Sequence, residues 1–218
     1  LDQIGEMGTP NSAYVAPSLD YLICKIPRWD LSKFAGVSRQ IGSSMKSVGE
    51  IMSIGQSFEE IIQKGLRMIG QGMHGFVGNR DLEFGNLEEE LSHPTDLRIF
   101  AIAKAFEEGY SIDRIYNLTK IDPWFLGKLK NIHDYSLVLS KYDKIEDVPA
   151  AVLQEAKRLG FSDFQIARFV EDPDGNIEKE SLRVRAVRKK NNVLPSVKRI
   201  NTVASENPEL TNYLYVTY

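Results

Sequence analysis

The segment 43–70 constrains the fold most, because within a few residues its pattern changes from that of a strand to that of a helix. Apolar residues between glycines predict a strand over 44–53. Ser57 and Glu60 then have the spacing of a capping box, in which each side chain accepts a hydrogen bond from the backbone of the other. The next apolar residues share one helical face: Phe58, Ile61, Ile62, Leu66 and Ile69. The segment therefore predicts a strand that leads into a helix packed on its own sheet, and Gly65 inside that helix indicates the close approach of another backbone.

The sequence before this segment predicts another strand. Residues 21–26 are rich in β-forming residues and end at Pro27. Because Leu22, Ile23 and Cys24 are consecutive and apolar, we expect both faces of this strand to be covered. Cys24 is the one cysteine of the chain, which excludes a disulfide within it. A reducing, cytoplasmic compartment is therefore the expectation.

Residues 95–195 predict a series of short helices. Start and stop signals recur along this part, with starts at Thr95, Ser111, Asp122 before Pro123, Asp147 with Pro149, and Ser162 with Gln165, and ends at Gly109 and Gly160. A charged helix over 178–190 completes the series, which is typical of a compact all-α bundle. The chain is thus predicted to be mainly α. Its expected parts are a small α/β unit over 1–70, a connecting loop over 71–94, the helices over 95–195 and extended, β-favouring sequence over 196–218.

The sequence lacks a recognisable catalytic or metal-binding pattern. The three histidines, His74, His93 and His133, lie far apart and have no second ligand one helical turn away. Fingerprints for phosphate or dinucleotide binding are missing as well. Adjacent residues point to different sides of a helix, so the acidic pairs Glu59–Glu60 and Glu107–Glu108 are predicted to be solvated. No apolar run reaches the roughly 20 residues that a membrane span requires. A binding, structural or connecting role is therefore favoured.

One cluster leaves a different function open. Residues 162–168, followed by the basic residues over 183–190, resemble a helix-turn-helix with a basic second helix, which would bind nucleic acid. Against this, the segment between the two helices is long and acidic, and the net charge of the chain is −3. Arginines whose aliphatic stems cover the bundle explain the cluster as well. A helical nucleic-acid-binding module therefore stands as the alternative to a connecting role.

Several long motifs resemble the large subunit of carbamoyl phosphate synthetases. They follow the order of that family and cover nearly the whole sequence after Asn11. The motifs are Pro-Ser-Leu-Asp-Tyr at 17–21, Lys-Ile-Pro-Arg-Trp-Asp at 25–30, Met-Lys-Ser-Val-Gly-Glu-Ile-Met-Ser-Ile-Gly at 45–55, Ile-Asp-Pro-Trp-Phe-Leu at 121–126, Lys-Arg-Leu-Gly-Phe-Ser-Asp at 157–163, Val-Lys-Arg-Ile-Asn-Thr at 197–202 and Asn-Tyr-Leu-Tyr-Val-Thr-Tyr at 212–218. Departures from the family pattern include Ala16, Gln56 and an apparent insertion over 171–180.

The resemblance implies that the chain is an internal piece of a much longer ATP-dependent ligase. Residues 1–70 would be the tail of the first of two ATP-grasp synthetase halves. Residues 95–195 would be the helical oligomerisation, or connection, domain, and 196–218 would lead into the second half. Enzymes of this family make carbamoyl phosphate from bicarbonate, ATP and the ammonia of glutamine, for arginine or pyrimidine biosynthesis. The partners implied are a second copy of the chain, the second synthetase half and a glutaminase subunit or domain.

The resemblance transfers one candidate site residue, Glu50, for which a residue at a sheet edge that faces solvent is the alternative interpretation. This residue, with Lys46 and Ser47 beside it, matches a glutamate that the family places near an internal carbamate tunnel. No catalytic residue is transferred, because the family's nucleotide-binding residues and acidic metal ligands would lie before Leu1. ATP and Mg²⁺ (or Mn²⁺) would thus be cofactors of the parent enzyme, and the chain alone is predicted to be inactive.

Overall fold

A computed structural model describes residues 2–4, 10–12, 19–69, 72–80, 82–170, 177–200 and 213–218. Its described helices are α1 (Phe58–Met68), α2 (Leu87–Ser92), α3 (Arg98–Glu107), α4 (Ile112–Thr119), α5 (Pro123–Leu139), α6 (Ala150–Arg158), α7 (Asp163–Val170) and α8 (Ile177–Lys190). The described strands form three antiparallel pairs: β1 (Asp2–Ile4) with β2 (Pro10–Ser12), β3 (Leu22–Arg28) with β4 (Gly49–Gly55), and β5 (Ser196–Arg199) with β6 (Leu214–Thr217). The prediction of a mainly α chain is confirmed.

β4 leads into α1 through a two-residue turn, and α1 packs on the β3–β4 hairpin, as the sequence predicts. The strand covers Gly49–Gly55, so it begins five residues later than the predicted 44–53. The Ser57 hydroxyl accepts a hydrogen bond from the Glu60 N–H at 3.2 Å, which is one half of the predicted capping box. The other half differs, because the Glu60 carboxylate accepts from the N–H of Gln56 at 2.8 Å. Gly65 does mark a close approach, but its neighbour is a side chain of β3. A Cβ at this position would lie 2.5 Å from Ile26 Cδ1.

The β3–β4 hairpin packs on the core through one face. Cys24, Ile26 and Ile51 on this face contact the hydrophobic core. On the opposite face Ile23 is 47% exposed and Met52 is 64% exposed. The expectation that both faces are covered was therefore wrong for the described chain, because α1 lies on one side of the hairpin and the other side contacts solvent.

The bundle helices begin and end largely where the sequence predicts. The side chains of Ser111, Asp122 and Ser162 accept hydrogen bonds from the N–H groups of Arg114, Trp124 and Gln165. Gln165 completes its capping box by accepting from the Ser162 N–H at 3.1 Å. Gly109 and Gly160 follow their helices with positive φ. The core between these helices includes the fully buried residues Leu91, Ile102, Ile115, Leu126, Ile132, Leu153 and Ile166.

Thr95 does not cap α3, which was a wrong prediction. α3 begins three residues later, at Arg98. The Thr95 hydroxyl instead accepts from the Leu97 N–H at 3.3 Å and donates to Glu90 at 2.9 Å. The residue thus stabilises the turn that enters the helix and ties that turn to α2.

The segment predicted as a connecting loop contains α2 and part of the core. Phe76 and Val77 are buried, and Leu87 and Leu91 of α2 pack in the same cluster as the bundle. The glycines of this segment correctly indicate turns, since Gly72, Gly75 and Gly78 have positive φ. Local sequence could not show that the turns fold back onto the bundle.

The sequence near the end of the chain is extended, as predicted, and its two described stretches pair with each other as β5 and β6, which the sequence does not predict. β6 lies beside β4, because the Lys64 ammonium donates to the carbonyls of both Ile54 (3.0 Å) and Val216 (2.7 Å). The turn predicted over 171–176 and the departure at Ala16 lie outside the described residues.

Candidate functional site

The first turn of α1 places two carboxylates between separate parts of the chain. The prediction that Glu59 and Glu60 are solvated was wrong, since they are 4% and 2% exposed. The two side chains do leave α1 in different directions, but α5 covers one direction and β6 the other. Glu59 accepts a hydrogen bond from Asn131 of α5 at 2.9 Å. Glu107 and Glu108 are exposed, as predicted.

Glu60 connects the β4–α1 turn, α1 and β6. One carboxylate oxygen accepts from the Gln56 N–H at 2.8 Å and from the Thr217 hydroxyl at 3.0 Å. The other oxygen lies 2.6 Å from the Lys64 ammonium. A buried carboxylate is stable only when its charge is compensated by donors or cations, and these three groups supply that compensation. The position of β6 on α1 therefore depends on this side chain.

A pair of buried glutamines joins α1 to α7. The Gln63 side-chain oxygen accepts from the Phe76 N–H at 2.8 Å and from the Gln165 amide at 3.0 Å. The Gln165 amide also donates to the Val77 carbonyl at 3.1 Å. A Cβ at Gly75, which has φ +140°, would collide with both amides. The segment 72–80 is thus held between the two helices by the backbone as well as by side chains.

Arg67 adds a second link between the same two elements. Its guanidinium donates to the Gly160 carbonyl at 2.7 Å and to the Gln165 side-chain oxygen at 3.3 Å. Burial lowers its pKa to about 10, partly offset by the negative charges of Asp163 and Glu60. The guanidinium therefore stays protonated at neutral pH.

Beside the glutamines, one carboxylate faces two buried cations. Asp163, at the start of α7, accepts from the Lys157 ammonium at 3.0 Å and from two nitrogens of Arg188 at 3.1 and 2.9 Å. Lys157 also donates to the Phe161 carbonyl at 2.7 Å. The ring of Tyr218 lies 5.0 Å from the Lys157 ammonium and 5.5 Å from the Arg188 guanidinium, within the range of cation–π attraction. α6, α7, α8 and the residue after β6 therefore meet at one place.

The electrostatics of this cluster follow from burial. Burial lowers the pKa of Lys157 to about 8, and the opposing attraction of Asp163 does not fully compensate. Burial alone would raise the pKa of Asp163, but the charges and hydrogen bonds of Lys157 and Arg188 together lower it. At neutral pH the cluster thus holds two cations and one anion.

We call these connected groups the buried polar junction. Its members are Glu60, Gln63, Lys64, Arg67, Lys157, Asp163, Gln165, Arg188, Thr217 and Tyr218. Each of their contacts given above is made within the chain. The arrangement fixes the β3–β4 hairpin and α1, the segment 72–80, the last helices and β6 relative to one another.

Glu50 lies apart from the junction, on the outward face of β4. Its carboxylate pairs with Lys25 of β3 at 2.9 Å, and both side chains are more than half exposed. Met52 and Ile23, on the same face, are also exposed. Lys46, near Glu50 in sequence, donates instead to the backbone carbonyls of Ser38 and Gln40. The structure therefore does not bring Lys46 and Glu50 into one site.

The histidines lie on separate elements. The ring of His74 stacks on that of Phe164 with a centroid distance of 3.9 Å, and the ring of His133 stacks on that of Phe106 with a centroid distance of 5.9 Å. Burial lowers the pKa of His133. His93 is exposed at the end of α2. Among the described residues, no three side chains of the metal-binding types come together.

In the nucleic-acid alternative α8 is the basic helix, but two of its arginines already bind carboxylates of the chain. Arg183 binds both carboxylate oxygens of Glu146 at 2.8 and 2.7 Å, and Arg188 is buried against Asp163. α7 and α8 pack on each other, so neither presents a free recognition face with all of these arginines. The geometry gives the alternative no support.

Sequence reasoning missed most of the junction. The capping box drew attention to Gln165, but for its bond to Ser162 and not for its bond to Gln63. The period-two alternation in β6 gives the one further signal, because it places Thr217 on the same face as the buried Tyr215. Long-range pairs such as Glu60 with Thr217 leave no trace in local spacing.

Comparison with known proteins finds, along most of the chain, the same family that the sequence motifs resemble. Residues 50–192 match the family described as carbamoyl-phosphate synthetase large chain, oligomerisation domain. The chain is 52% identical over 207 residues to the multifunctional protein CAD of Squalus acanthias, and 52% identical over 208 residues to the multifunctional protein pyr1-3 of Dictyostelium discoideum. Each alignment covers 95% of the chain and 9% of the relative.

A relative named as arginine-specific has nearly the same sequence identity to the chain. The arginine-specific large chain of carbamoyl phosphate synthase from Eremothecium gossypii is 48% identical over 203 residues, which is 93% of the chain and 18% of that protein. The chain therefore spans less than a fifth of the length of each of these relatives. Among the described helices, none combines the length and apolarity needed to span a bilayer.

Proposed function

Because the chain belongs to the carbamoyl-phosphate synthetase large-chain family, we propose that it is the connecting and self-associating part of a carbamoyl phosphate synthase. The observation that carries the connecting role is the position of Glu60. One buried side chain binds the turn after β4, its own helix and β6, so the strands at both ends of the helical part are attached to α1.

The buried polar junction makes this connection stiff. Moving β6 or α7 away from α1 would leave the partners of Glu60, Gln63 and Asp163 buried and unpaired. Each buried polar group that loses its partner costs about 1–3 kcal/mol, and charged groups cost more. Small independent motions of the connected elements are therefore disfavoured. A displacement of one end of the chain then moves the other end with it.

The proposed domain boundaries follow from this role and from the resemblance. Residues 1–70 would be the tail of a first ATP-grasp half, 95–195 the helical domain and 196–218 the linker into a second half. The exposed apolar residues Ile23 and Met52 support the first assignment, since the outward face of the β3–β4 hairpin is suited to cover by the rest of such a half.

In the parent enzyme we expect the chemistry to lie outside this chain. ATP and Mg²⁺ or Mn²⁺ would bind to the synthetase halves, and a glutaminase subunit or domain would supply ammonia. The 218-residue chain incubated with ATP, Mg²⁺ and bicarbonate should release no ADP above the blank. Release that scales with protein concentration through several purification steps would contradict this assignment.

Glu50 is proposed to line the carbamate tunnel once the outward face of β4 is covered. Replacing Glu50 with Gln in the parent enzyme should lower the yield of carbamoyl phosphate per ATP consumed, because intermediates would escape. Lys25→Met removes the partner of Glu50 and keeps the carboxylate, so it serves as the control. An unchanged yield in Glu50→Gln would remove Glu50 from the tunnel.

The connecting role has its own test in the parent enzyme. Thr217→Val removes the hydroxyl that binds Glu60 and keeps the volume, whereas Val216→Thr makes a similar change on the exposed face of β6. We expect Thr217→Val to raise the ATP consumed per carbamoyl phosphate formed and Val216→Thr to leave that ratio unchanged. Equal ratios for both variants and the wild type would argue against coupling through the junction.

A further inference from the structure

Two exposed faces of opposite charge stand outside the buried polar junction. The first is on α8, where Arg185, Lys189 and Lys190 are exposed and no described carboxylate pairs with them. Leu182 is 64% exposed and lies on the same helical stripe as Arg185 and Lys189, three and seven residues further on. We call Leu182, Arg185, Lys189 and Lys190 the basic stripe.

The second face is formed where α2, the end of α3 and the start of α4 meet. Its exposed carboxylates are Glu88, Glu89, Glu108 and Asp113, which we call the acidic patch. Arg114 shows that carboxylates from different elements lie near one another. Its guanidinium donates to Glu88 at 2.6 Å, and its pKa is raised first by this bond and further by the charges of Tyr110, Glu88 and Glu108. One guanidinium thus serves several carboxylates, and the patch stays negative.

We propose that the chain self-associates by placing the basic stripe of one copy on the acidic patch of a second copy, and the reverse. This inference rests on the proposed self-association and names the surfaces that perform it. In a two-fold dimer, residue i of one copy contacts residue j of the other, and j contacts i. A molecule with one basic and one acidic face can satisfy both contacts at once, and Leu182 supplies an apolar group that such a contact would bury.

The charges argue against two other occupants of these faces. A contact between two copies of α8 would oppose Arg185, Lys189 and Lys190 with the same residues of the partner copy, and like charges across an interface are repulsive. A nucleic acid would be attracted by the basic stripe but repelled by the acidic patch. A second copy of the chain uses both faces, and the family match is to an oligomerisation domain.

Charge reversal tests the proposal directly. One variant carries Arg185→Glu, Lys189→Glu and Lys190→Glu. The other carries Glu89→Lys, Glu108→Lys and Asp113→Lys. These side chains are exposed, so both variants should keep the wild-type circular dichroism spectrum and unfolding transition. Sedimentation velocity of the 218-residue chain then measures association, which for the wild type should weaken as salt is added.

Each variant alone should associate at least about tenfold more weakly than the wild type, because both contacts of its dimer become repulsive. An equimolar mixture should recover the wild-type association, since each variant then meets a partner of opposite charge. A single chain with all six changes has its two charged faces exchanged and keeps the net charge of −3, and it should also associate. This six-change variant is the control for net charge.

The outcomes separate this inference from the proposed function. If the wild type associates and either variant alone associates as tightly, or if the mixture fails to recover association, these faces are not the interface although self-association stands. If the wild type stays monomeric at every concentration and salt, both the inference and the proposed self-association of the chain fail.

Discussion

At the scale of single residues, the balance of charge around Asp163 is the most consequential feature. One carboxylate faces the buried cations Lys157 and Arg188, and burial lowers the pKa of Lys157 to about 8. Removing the carboxylate leaves two cations facing each other. Removing Lys157 leaves a balanced pair, because Asp163 and Arg188 still share two hydrogen bonds.

Asp163→Asn and Lys157→Met should therefore differ sharply. Breaking a buried ion pair by removing one partner typically costs about 3–5 kcal/mol, whereas an apolar replacement that leaves no unpaired charge is often nearly neutral. We expect Asp163→Asn to lower the free energy of unfolding by an amount in that range. Lys157→Met leaves no unpaired charge but removes the donor of the Phe161 carbonyl, so it should lower the free energy of unfolding by only about 1–2 kcal/mol. Urea unfolding at pH 7 measures both, and equal losses would contradict this view of the cluster.

The pH dependence of stability should carry the signature of Lys157. Its pKa is about 8 in the folded chain and 10.5 without the effects of the fold. Between these two pH values Lys157 is protonated more often in the unfolded chain than in the folded chain. The contribution of Lys157 to the free energy of unfolding therefore rises with pH. The difference in stability between the wild type and Lys157→Met should therefore shift in favour of the wild type from pH 7 to about pH 10. Parallel urea midpoints for the two proteins across this range would show that Lys157 does not titrate there.

At the scale of elements, α1 is the centre of the arrangement. It receives β4 at its start, packs under the hairpin at Gly65, and binds β6 and α7 through Glu60, Gln63 and Arg67. A glycine inside a helix lowers helix propensity, so its presence needs a reason. The Ile26 side chain occupies the space that a Cβ would take.

Gly65→Ala should destabilise the chain even though alanine favours helix by about 1 kcal/mol. The added Cβ would sit 2.5 Å from Ile26 Cδ1 and 3.1 Å from Ser53 Oγ, which is held by its hydrogen bond to the Ile61 carbonyl at 2.7 Å. Such overpacking costs roughly 1–3 kcal/mol. Gly127→Ala in α5 is the matched control, because no heavy atom lies within 4 Å of an added Cβ there, and it should stabilise by about 0.5–1 kcal/mol. Thermal unfolding measures whether each variant is more or less stable than the wild type, and a stabilising Gly65→Ala would refute the proposed packing.

The elements themselves were largely predictable, and the site was not. Caps at Ser57, Ser111, Asp122 and Ser162 depend on residues two or three positions away, so the sequence displays them. The burial of Glu59 and Glu60 depends on α5 and β6, which lie far along the chain, and the sequence near α1 predicts the opposite. Thr95 shows an intermediate case, in which a residue with the right chemistry stabilises the turn before the helix.

At the scale of the whole molecule, the described residues share one hydrophobic core with the buried polar junction beside it. Ile62 and Leu66 of α1 belong to the same hydrophobic cluster as the bundle residues Leu126 and Ile166. The α/β unit and the helices are therefore joined by apolar packing as well as by the junction. This is the property that a connector between two larger halves requires, since forces at one end act on the whole chain.

Native-state hydrogen exchange on the wild type and Asp163→Asn tests whether the buried polar junction couples the elements it joins. Elements that open as one cooperative unit share a single opening free energy. The amides of α1, α7, α8 and β6 should exchange with one such opening free energy, and Asp163→Asn should lower it equally in all four elements. A loss confined to α7 and α8, with α1 and β6 unchanged, would contradict coupling through the buried polar junction.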